Sequence, residues 1–358
     1  MTHIYDVLVV GGGPAGLTAA RVASELGADV LLLEKKSYFG TPYSRWMKDS
    51  PYLKRVFKAI GMGSVLTPVY GFRVYDYKDE EYQEIPAKGW GAYNVDAVRF
   101  CQGLAWQAAE AGARLELGQK VLGFIREEGT VVGVHTAKEN YRSRVVLCAD
   151  GLASILIGLS KGVIESPYGE REKLTTGINM ELVGVEDIEP GWQEIHPWEN
   201  DLSDGLQLLL PLDRGFCGAS FDNLEHFHEM RKGSRTLSRK LRNAQIAKRF
   251  VAVDRVIRGS PMNKVSFDGL LFCGEAAGTH SGLRVMISAD KAAQIATQAV
   301  TENNVSAERL SEYDKWCATS PIMRFPGIIL GVLIEDFDLD AHCKEVQQRL
   351  TEMSKFDL

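Results

Sequence analysis

The N-terminal part of the chain alternates apolar runs with glycines in an order that predicts a β–α–β unit. Residues 4–10 form a short apolar, β-branched run that stops at three glycines, as a buried parallel strand does. Residues 17–26 are rich in Ala and Leu, with the spacing of a helix that packs under a sheet, and Gly27 ends that helix. A second apolar run at residues 30–33 completes the unit and leads into Glu34.

The remaining elements are predicted from the same periodicities. They are strands at 72–77 and 82–85, a long amphipathic helix at 95–112, strands at 114–117, 120–125, 130–135 and 141–147, antiparallel strands at 177–183, 206–210 and 216–221, helices from 224, a buried strand at 269–273, a helix at 284–303, and two or three helices after 306. Because the buried-strand pattern returns near residue 270, we expect the first domain to be discontinuous.

These elements predict an α/β protein, α+β overall. A Rossmann-type domain with a parallel sheet is joined to a domain with an antiparallel sheet and to a C-terminal helical segment. We expect residues 1–50, 92–164 and 255–305 to form the dinucleotide-binding domain, residues 51–91 and 165–254 the substrate domain, and residues 306–358 the C-terminal helices.

The glycines after the first strand carry the clearest chemical signal. Gly11-Gly12-Gly13-Pro14-Ala15-Gly16 fits the pattern G-x-G-x-x-G. Gly11 permits a tight turn, Gly13 lets the backbone approach a pyrophosphate, and Gly16 lets the helix pack closely on the strand. Glu34 ends the second strand, about where an acid meets a ribose hydroxyl. The unit therefore predicts an adenine dinucleotide site; the alternative is a purely structural Gly-rich turn.

Composition and charge narrow the class of protein. The 358 residues correspond to roughly two domains. A net charge of −6 without a block rich in Lys or Arg argues against a nucleic-acid partner. The six cysteines include no CxxC and no secretory signal precedes them, so we expect reduced thiols and a cytoplasmic protein. No apolar run approaches the ~20 residues of a membrane span, and no metal-ligand pattern is present.

Three motifs in this order resemble the flavoprotein superfamily of p-hydroxybenzoate hydroxylase, and within it the geranylgeranyl reductase-like branch. They are the N-terminal glycine motif with Glu34, the sequence Ala149-Asp150-Gly151-x-x-Ser154, and the sequence Gly274-Glu275-Ala276-Ala277-Gly278. The resemblance covers residues 1–300. It implies FAD as the cofactor, a small apolar or aromatic substrate, and NAD(P)H or another reductant that binds transiently.

The resemblance also assigns individual residues. It places Glu34 on the adenosine ribose, Asp150 and Gly151 near the pyrophosphate, Glu275 on the flavin ribityl or ribose hydroxyls, and Val121 against the adenine. The full set of cofactor-binding residues that we expect is Gly11, Gly13, Pro14, Ala15, Gly16, Glu34, Lys35, Arg45, Val121, Asp150, Gly151, Glu275, Gly278 and Arg284.

Other candidates have both a functional and a structural interpretation. Arg45 either reaches a pyrophosphate or substrate anion or is a surface arginine, and Arg284 is a candidate phosphate contact at a helix start. His280 either faces the flavin as a donor or lies in solvent. The aromatic candidates for an apolar substrate channel, each of which could equally be core, are Tyr43, Trp46, Trp198 and Phe216. Residues 324–330 form either a core helix or a contact with a lipid surface.

Two departures from the branch bear on the chemistry. The loop after Gly278 is shorter than usual, and residues 41–46 lack the cysteine that many of these reductases carry near the flavin. Our leading hypothesis is reduction of an alkene in an isoprenoid or other apolar substrate by hydride from reduced flavin. The alternatives are a class A monooxygenase that hydroxylates an aromatic ring and a flavin-fold binding protein without catalysis. The sequence does not indicate the oligomeric state.

Overall fold

The computed structural model describes most of the chain. The described residues are 3–40, 44–48, 50–60, 66–76, 78–87, 91–151, 174–196, 207–212, 215–221, 224–255, 264–279, 282–320, 323 and 343–344. The strands are β1 (Ile4–Val10), β2 (Val30–Glu34), β3 (Ser44–Lys48), β4 (Leu66–Pro68), β5 (Gly71–Tyr75), β6 (Tyr82–Pro86), β7 (Ala92–Asp96), β8 (Arg114–Leu117), β9 (Val121–Glu127), β10 (Thr130–Thr136), β11 (Asn140–Cys148), β12 (Leu174–Val183), β13 (Trp192–His196), β14 (Gln207–Pro211), β15 (Phe216–Phe221), β16 (Gln245–Arg255), β17 (Ser266–Phe267) and β18 (Leu270–Phe272). The helices are α1 (Pro14–Glu25), α2 (Pro51–Ile60), α3 (Ala97–Glu110), α4 (Leu224–Gly233), α5 (Arg235–Lys240), α6 (Gly282–Thr301), α7 (Ala307–Leu310) and α8 (Glu312–Thr319), with a short 3₁₀ turn at Gly274–Ala277.

The first sheet is built around β1. Its parallel strands run in the order β18, β11, β1, β2 and β8, β17 pairs antiparallel at the edge, and the hairpin of β9 and β10 extends from β11. The β1 side chains Val7, Leu8 and Val9 are fully buried, as the continuous apolar run predicts. Because parallel strands end at the same edge, the residues that follow β1, β11 and β18 come together there.

Two helices cover this sheet and position the edge. α1 and α6 pack against each other. Both helices carry small side chains that are fully buried, such as Ala20 and Ala23 on α1 and Ala292 and Ala296 on α6. Small residues allow the two helix backbones to approach closely, so the start of α1 is fixed firmly at the end of β1.

The second sheet is largely antiparallel. Its strands run in the order β16, β12, β15, β14, β13, β5 and β6, with β13 and β5 parallel. Helices α4 and α5 bury Phe227, Met230 and Leu237 against Met180 and Phe221 of this sheet. A smaller sheet has the order β3, β7, β4. The antiparallel sheet and its two helices thus share an apolar core of their own.

The chain divides into two compact units. The first comprises Met1–Gly40, Val98–Lys173 and Ile257–Gly327, and the second comprises Thr41–Ala97, Leu174–Val256 and Ile328–Leu358. The parallel sheet lies in the first unit and the antiparallel sheet in the second. The unit bounds differ from the expected domain bounds: residues 41–50, 92–97 and 255–256 belong to the second unit, residues 165–173 belong to the first, and the expected C-terminal segment is divided after residue 327.

The predicted fold class is confirmed, with differences at single elements. Val95 does not begin the long helix, because it pairs with Leu66 of β4 and with Arg45 of β3, and the helix begins at Ala97. Residues 245–255 form the long strand β16, which pairs along β12. The predicted strand at 141–147 and the predicted helix at 284–303 are present within two residues at each end.

Candidate functional site

The turn between β1 and α1 is closed by glycines that leave no room for side chains. Gly11 has φ +111°, and a Cβ there would collide with the carbonyl oxygen of Ala149 and lie 3.0 Å from the Cα of Asp150. A Cβ on Gly16 would overlap the carbonyl oxygen of Gly11. These two glycines therefore serve the packing of the protein itself.

Gly13 has a different environment. It is the N-cap of α1 in an ordinary extended conformation, with φ −85°, and Pro14 is the first residue of the helix. A Cβ at position 13 would meet no described protein atom within 4 Å. No described side chain caps the helix and no acid lies in its first turn, so its first backbone N–H groups and the positive end of the helix dipole can accept an anion. This cradle fits a pyrophosphate.

Glu34 is fixed beside this cradle at the end of β2. Its side chain is buried; Oε2 accepts from the amide of Gly12 at 2.6 Å, and Oε1 accepts from the amide of Lys36 at 2.8 Å. Each carboxylate oxygen has a second lone pair that a ribose hydroxyl can donate to. The amide of Gln119 donates to the carbonyl oxygen of Glu34 at 2.8 Å, which brings the start of β9 at Val121 to the same edge.

Lys36, which the sequence reasoning missed, is more closely involved here than Lys35. The Lys35 side chain is exposed, whereas Lys36 Nζ donates to the carbonyl oxygen of Gly40 at 2.9 Å. Burial lowers the pKa of Lys36. The sequence carried no clear signal for this difference, because both lysines follow the end of β2 at Glu34, where strand alternation no longer applies.

The three sequence motifs meet at this edge of the sheet. Gly11 lies against Asp150, a Cβ on Gly151 would lie 4.0 Å from Glu275 Oε2, and a Cβ on Gly274 would lie 2.6 Å from the Cβ of Ala15. Segments that are more than 100 residues apart in the chain thus form one continuous surface. The surface combines helix N–H donors with carboxylate acceptors, which is the donor set that an FAD pyrophosphate and its ribose hydroxyls require.

Two further predicted residues lie near the C-terminal motif. The amide of Gly278 donates to the carbonyl oxygen of Glu275 at 3.1 Å and closes the 3₁₀ turn. Arg284 lies in the first turn of α6 and only 8% of its surface is exposed. Burial lowers the pKa of Arg284 to about 10, so holding this cation inside the protein is unfavourable in electrostatic terms.

The second unit contains a buried charged network that sequence reasoning missed. His196 Nδ1 lies 2.6 Å from Asp79 Oδ1, and His196 Nε2 lies 3.2 Å from Glu194 Oε2. Lys240 Nζ donates to Glu194 Oε1 at 2.8 Å. All four side chains are almost completely buried. The sequence signal was a pair of ionisable residues two apart, Glu194 and His196, on the inward face of one strand.

Hydrogen bonds determine the charge states in this network. Burial on its own would lower the pKa of His196, but its hydrogen bonds with Asp79 and Glu194 outweigh this effect and raise that pKa above its ordinary value. Burial would likewise raise the pKa values of Asp79 and Glu194, yet their bonds with His196 hold both below their ordinary values. The network therefore balances two carboxylates against an imidazolium and an ammonium group.

Comparison with known proteins identifies the family. The sequence pattern of the pyridine nucleotide-disulphide oxidoreductase family matches residues 5–183, which is half of the chain. The chain belongs to this family. The match begins at β1 and ends in β12, so it contains two of the three motifs that meet at the sheet edge.

Relatives of this oxidoreductase span its whole length. The digeranylgeranylglycerophospholipid reductase of Methanosarcina acetivorans is 29% identical over 399 aligned residues, which cover 100% of this chain and 92% of the relative. A geranylgeranyl bacteriochlorophyll reductase-like protein from Thermoplasma acidophilum shares the fold, with TM-score 0.70, 21% identity, and coverage of 99% and 98% of the two chains. A flavin-dependent brominase also shares it, with TM-score 0.66, 20% identity, and coverage of 88% and 83%.

These findings confirm the predicted resemblance and the predicted enzyme class. The oxidoreductase uses FAD, as the three motifs predict. In the described part of the chain, no helix is both long and apolar enough to cross a bilayer, and no group of His, Cys, Asp and Glu side chains is arranged to hold a metal ion.

Several candidate residues lie in the second unit or outside the described residues. Arg45 and Trp46 belong to β3, and Phe216 is a partly exposed residue at the start of β15, so all three lie in the second unit. Tyr43, Trp198 and His280, together with the segment 324–330, lie outside the described residues. The roles expected for these residues stay predictions.

Proposed function

We propose that this oxidoreductase reduces carbon–carbon double bonds in an isoprenoid lipid. The observation that carries the proposal is the match to digeranylgeranylglycerophospholipid reductases. The alignment with the Methanosarcina acetivorans reductase covers 100% of this chain, and the alignment with a reductase of Methanopyrus kandleri covers 87% of it, both at 29% identity. Alignment over both units, and not only over the cofactor motifs, supports a shared substrate class as well as a shared cofactor.

Within this proposal, the residues at the edge of the first sheet hold FAD. The N-terminus of α1 at Gly13 and Pro14 receives the pyrophosphate, and Glu34 accepts from the adenosine ribose. Asp150 and Glu275 line the opposite side, where their carboxylates accept from hydroxyl groups of the cofactor. FAD would supply, in its reduced form, the hydride for one carbon of the double bond, and water or an acidic side chain would supply the proton for the other carbon.

The protein itself contributes position and environment. The N-terminus of α1 places a positive dipole end beside the cofactor phosphates. The second unit, with its apolar core under the antiparallel sheet, is the proposed substrate domain. An apolar lipid requires a site that excludes water, which also protects the reduced cofactor from side reactions. We propose that NAD(P)H or another reductant binds transiently, and that the protein meets its lipid at a membrane surface.

A single-turnover experiment tests the proposal. The holoprotein is reduced anaerobically with dithionite, and digeranylgeranylglycerophospholipid is added in detergent micelles. We expect the absorbance of oxidised flavin to return, and the lipid to gain two hydrogen atoms for each reduced double bond in its mass spectrum. A fully saturated lipid with the same headgroup serves as the control and should leave the flavin reduced. Unchanged flavin and unchanged lipid mass with both lipids contradict the proposal.

The two rival functions give different results in the same preparation. An aromatic hydroxylase consumes oxygen and NAD(P)H together only when an aromatic substrate is present, and the product contains an atom from O₂. A binding protein without catalysis leaves both the lipid and the aromatic compounds unchanged, although it retains bound flavin. Each outcome identifies one function because the lipid mass, the oxygen consumption and the flavin spectrum are measured separately.

A further inference from the structure

A chain of buried hydroxyl groups lies behind the C-terminal cofactor motif. The amide of Gly274 donates to Ser288 Oγ at 3.1 Å, and Ser288 Oγ lies 2.6 Å from Tyr313 OH. Ser288 and Tyr313 are both fully buried, on α6 and α8 respectively. A phenylalanine would fill the space of Tyr313 without a buried polar atom, so the hydroxyl group requires an explanation beyond packing.

The position of Gly274 matters for the cofactor site. Its φ of +65° is a left-handed conformation, and a Cβ there would lie only 2.6 Å from the Cβ of Ala15. Gly274 therefore touches the first turn of α1, where the pyrophosphate is proposed to bind. It also begins the 3₁₀ turn that carries Glu275 toward Gly151. A shift of the Gly274 amide would move Glu275 with it.

Ser288 is held in place from α8. A serine inside a helix can turn its hydroxyl to the carbonyl group one turn earlier, in which case it would not accept from Gly274. The bond with Tyr313 favours the rotamer in which Ser288 Oγ faces Gly274. Burial raises the pKa of Tyr313 far above its ordinary value, so this partner stays a neutral hydroxyl group.

Helix α8 has a second attachment that does not involve Ser288 or the Tyr313 hydroxyl group. Asp314, the neighbour of Tyr313, accepts from the amide of Val265 at 2.7 Å and from the hydroxyl group of Ser266. Ser266 lies in β17, the outermost strand beside β18, and Val265 immediately precedes that strand. Helix α8 thus makes two kinds of contact. The Tyr313 hydroxyl group is connected through Ser288 to the cofactor motif, whereas Asp314 only attaches the helix to the first sheet.

We propose that Tyr313 and Ser288 are positioning residues for the FAD site: through the Gly274 amide, they hold the C-terminal motif against the N-terminus of α1. The inference rests on the proposed contact between Glu275 and FAD. It assigns to α8, which contains none of the three motifs, an effect on cofactor affinity that is transmitted through Ser288 and Gly274.

The test compares Tyr313→Phe with Asp314→Asn. FAD affinity of each apoprotein is measured from the quenching of flavin fluorescence, and the stability of each apoprotein from its unfolding by urea. We expect Tyr313→Phe to weaken FAD binding by about fivefold, the effect of one buried hydrogen bond. Asp314→Asn should lower stability without that loss of affinity. The visible circular dichroism of bound flavin should change in Tyr313→Phe and stay as in the wild type in Asp314→Asn.

Variants at Ser288 keep the test decisive if Tyr313→Phe folds poorly. Ser288→Ala should weaken FAD binding as much as Tyr313→Phe does. Ser288→Thr, which keeps a hydroxyl group, should retain most of the wild-type affinity for FAD. The double variant Ser288→Ala/Tyr313→Phe should bind FAD no more weakly than either single variant. The inference is overturned if Tyr313→Phe and Ser288→Ala bind FAD like the wild type, or if Asp314→Asn weakens binding equally. A wild-type protein that binds no FAD would instead contradict the proposed function.

Discussion

His196 and Asp79 are joined by a 2.6 Å contact between Nδ1 and Oδ1 although 117 residues separate them. Both side chains are buried, and Tyr75 stacks on the imidazole ring with its centroid 4.1 Å away. Asp79 lies in the turn between β5 and β6 with φ +56°, and its second carboxylate oxygen accepts from the amide of Leu237 at 2.8 Å. The imidazolium of His196 on β13 therefore forms an ion pair with this turn, and the second carboxylate oxygen of Asp79 connects the turn to α5.

This network predicts that the stability of the second unit depends on pH. The raised pKa of His196 contributes stability that is complete below its ordinary value of 6.5 and is lost as the pH rises through the higher native pKa. The lowered pKa values of Asp79 and Glu194 contribute stability that is complete above 3.8 and 4.5 and is lost as the pH falls. We expect the free energy of unfolding to be greatest between those limits.

Replacing His196 should remove the alkaline part of this profile. His196→Gln leaves two buried carboxylates with one ammonium group, and the loss is expected to be about 3–5 kcal/mol at pH 6. Urea unfolding at several pH values measures it. His3→Gln is the control, because His3 also pairs with a carboxylate, Asp29 at 2.6 Å, but both side chains are about half exposed. Equal pH profiles for the two variants would contradict the assignment.

Gly13→Ala and Gly16→Ala should separate cofactor binding from folding. A methyl group on Gly13 meets no described protein atom, so we expect the unfolding free energy of the apoprotein to change by less than about 1 kcal/mol. The same methyl group occupies the pyrophosphate cradle and should weaken FAD binding at least about tenfold. A methyl group on Gly16 overlaps the carbonyl oxygen of Gly11 and should prevent stable folding of the first unit. Fluorescence titration and urea unfolding measure the two effects.

Glu34→Gln should affect both properties at once. The carboxylate accepts from the amides of Gly12 and Lys36, and an amide side chain can replace only one of these two acceptors. The other backbone N–H group loses its partner, at a cost of about 1–3 kcal/mol. FAD affinity should also fall, because the ribose loses a charged acceptor. A Glu34→Gln apoprotein with wild-type stability would show that these hydrogen bonds do not support the turn.

The cysteines should be inert in the native protein. Burial raises the pKa of Cys273 and Cys317 to about 12, and that of Cys148 and Cys217 well above the ordinary value of 9.0. We therefore expect iodoacetamide to modify these four thiols only after unfolding, as followed by mass spectrometry of peptides. Rapid modification of any of them at pH 8 in folded holoprotein would contradict this expectation.

The sequence predicted the local parts of the site better than its long-range parts. β1, the glycine turn and Glu34 lie within one β–α–β unit, where periodicity and glycine spacing determine the structure. The network of Asp79, Glu194, His196 and Lys240 was missed because the two-residue spacing of Glu194 and His196 is a weak signal by itself, and Asp79 and Lys240 join them only in the folded protein. Lys36 was missed for a simpler reason: it lies just beyond β2, where strand periodicity does not tell which of the two lysine side chains contacts Gly40.

The tight contact between Gly274 and Ala15 has a consequence for the timing of biosynthesis. Chains leave the ribosome N-terminus first, at about 5–20 residues per second, so the C-terminal motif emerges about 15–50 s after the glycine turn that it completes. During that interval β11 lacks its partner strand β18, and Ala15 in the first turn of α1 lacks its contact with Gly274. The nascent chain consequently contains the N-terminal part of the FAD site without the C-terminal motif. Binding of FAD is therefore one of the last events in the maturation of the enzyme.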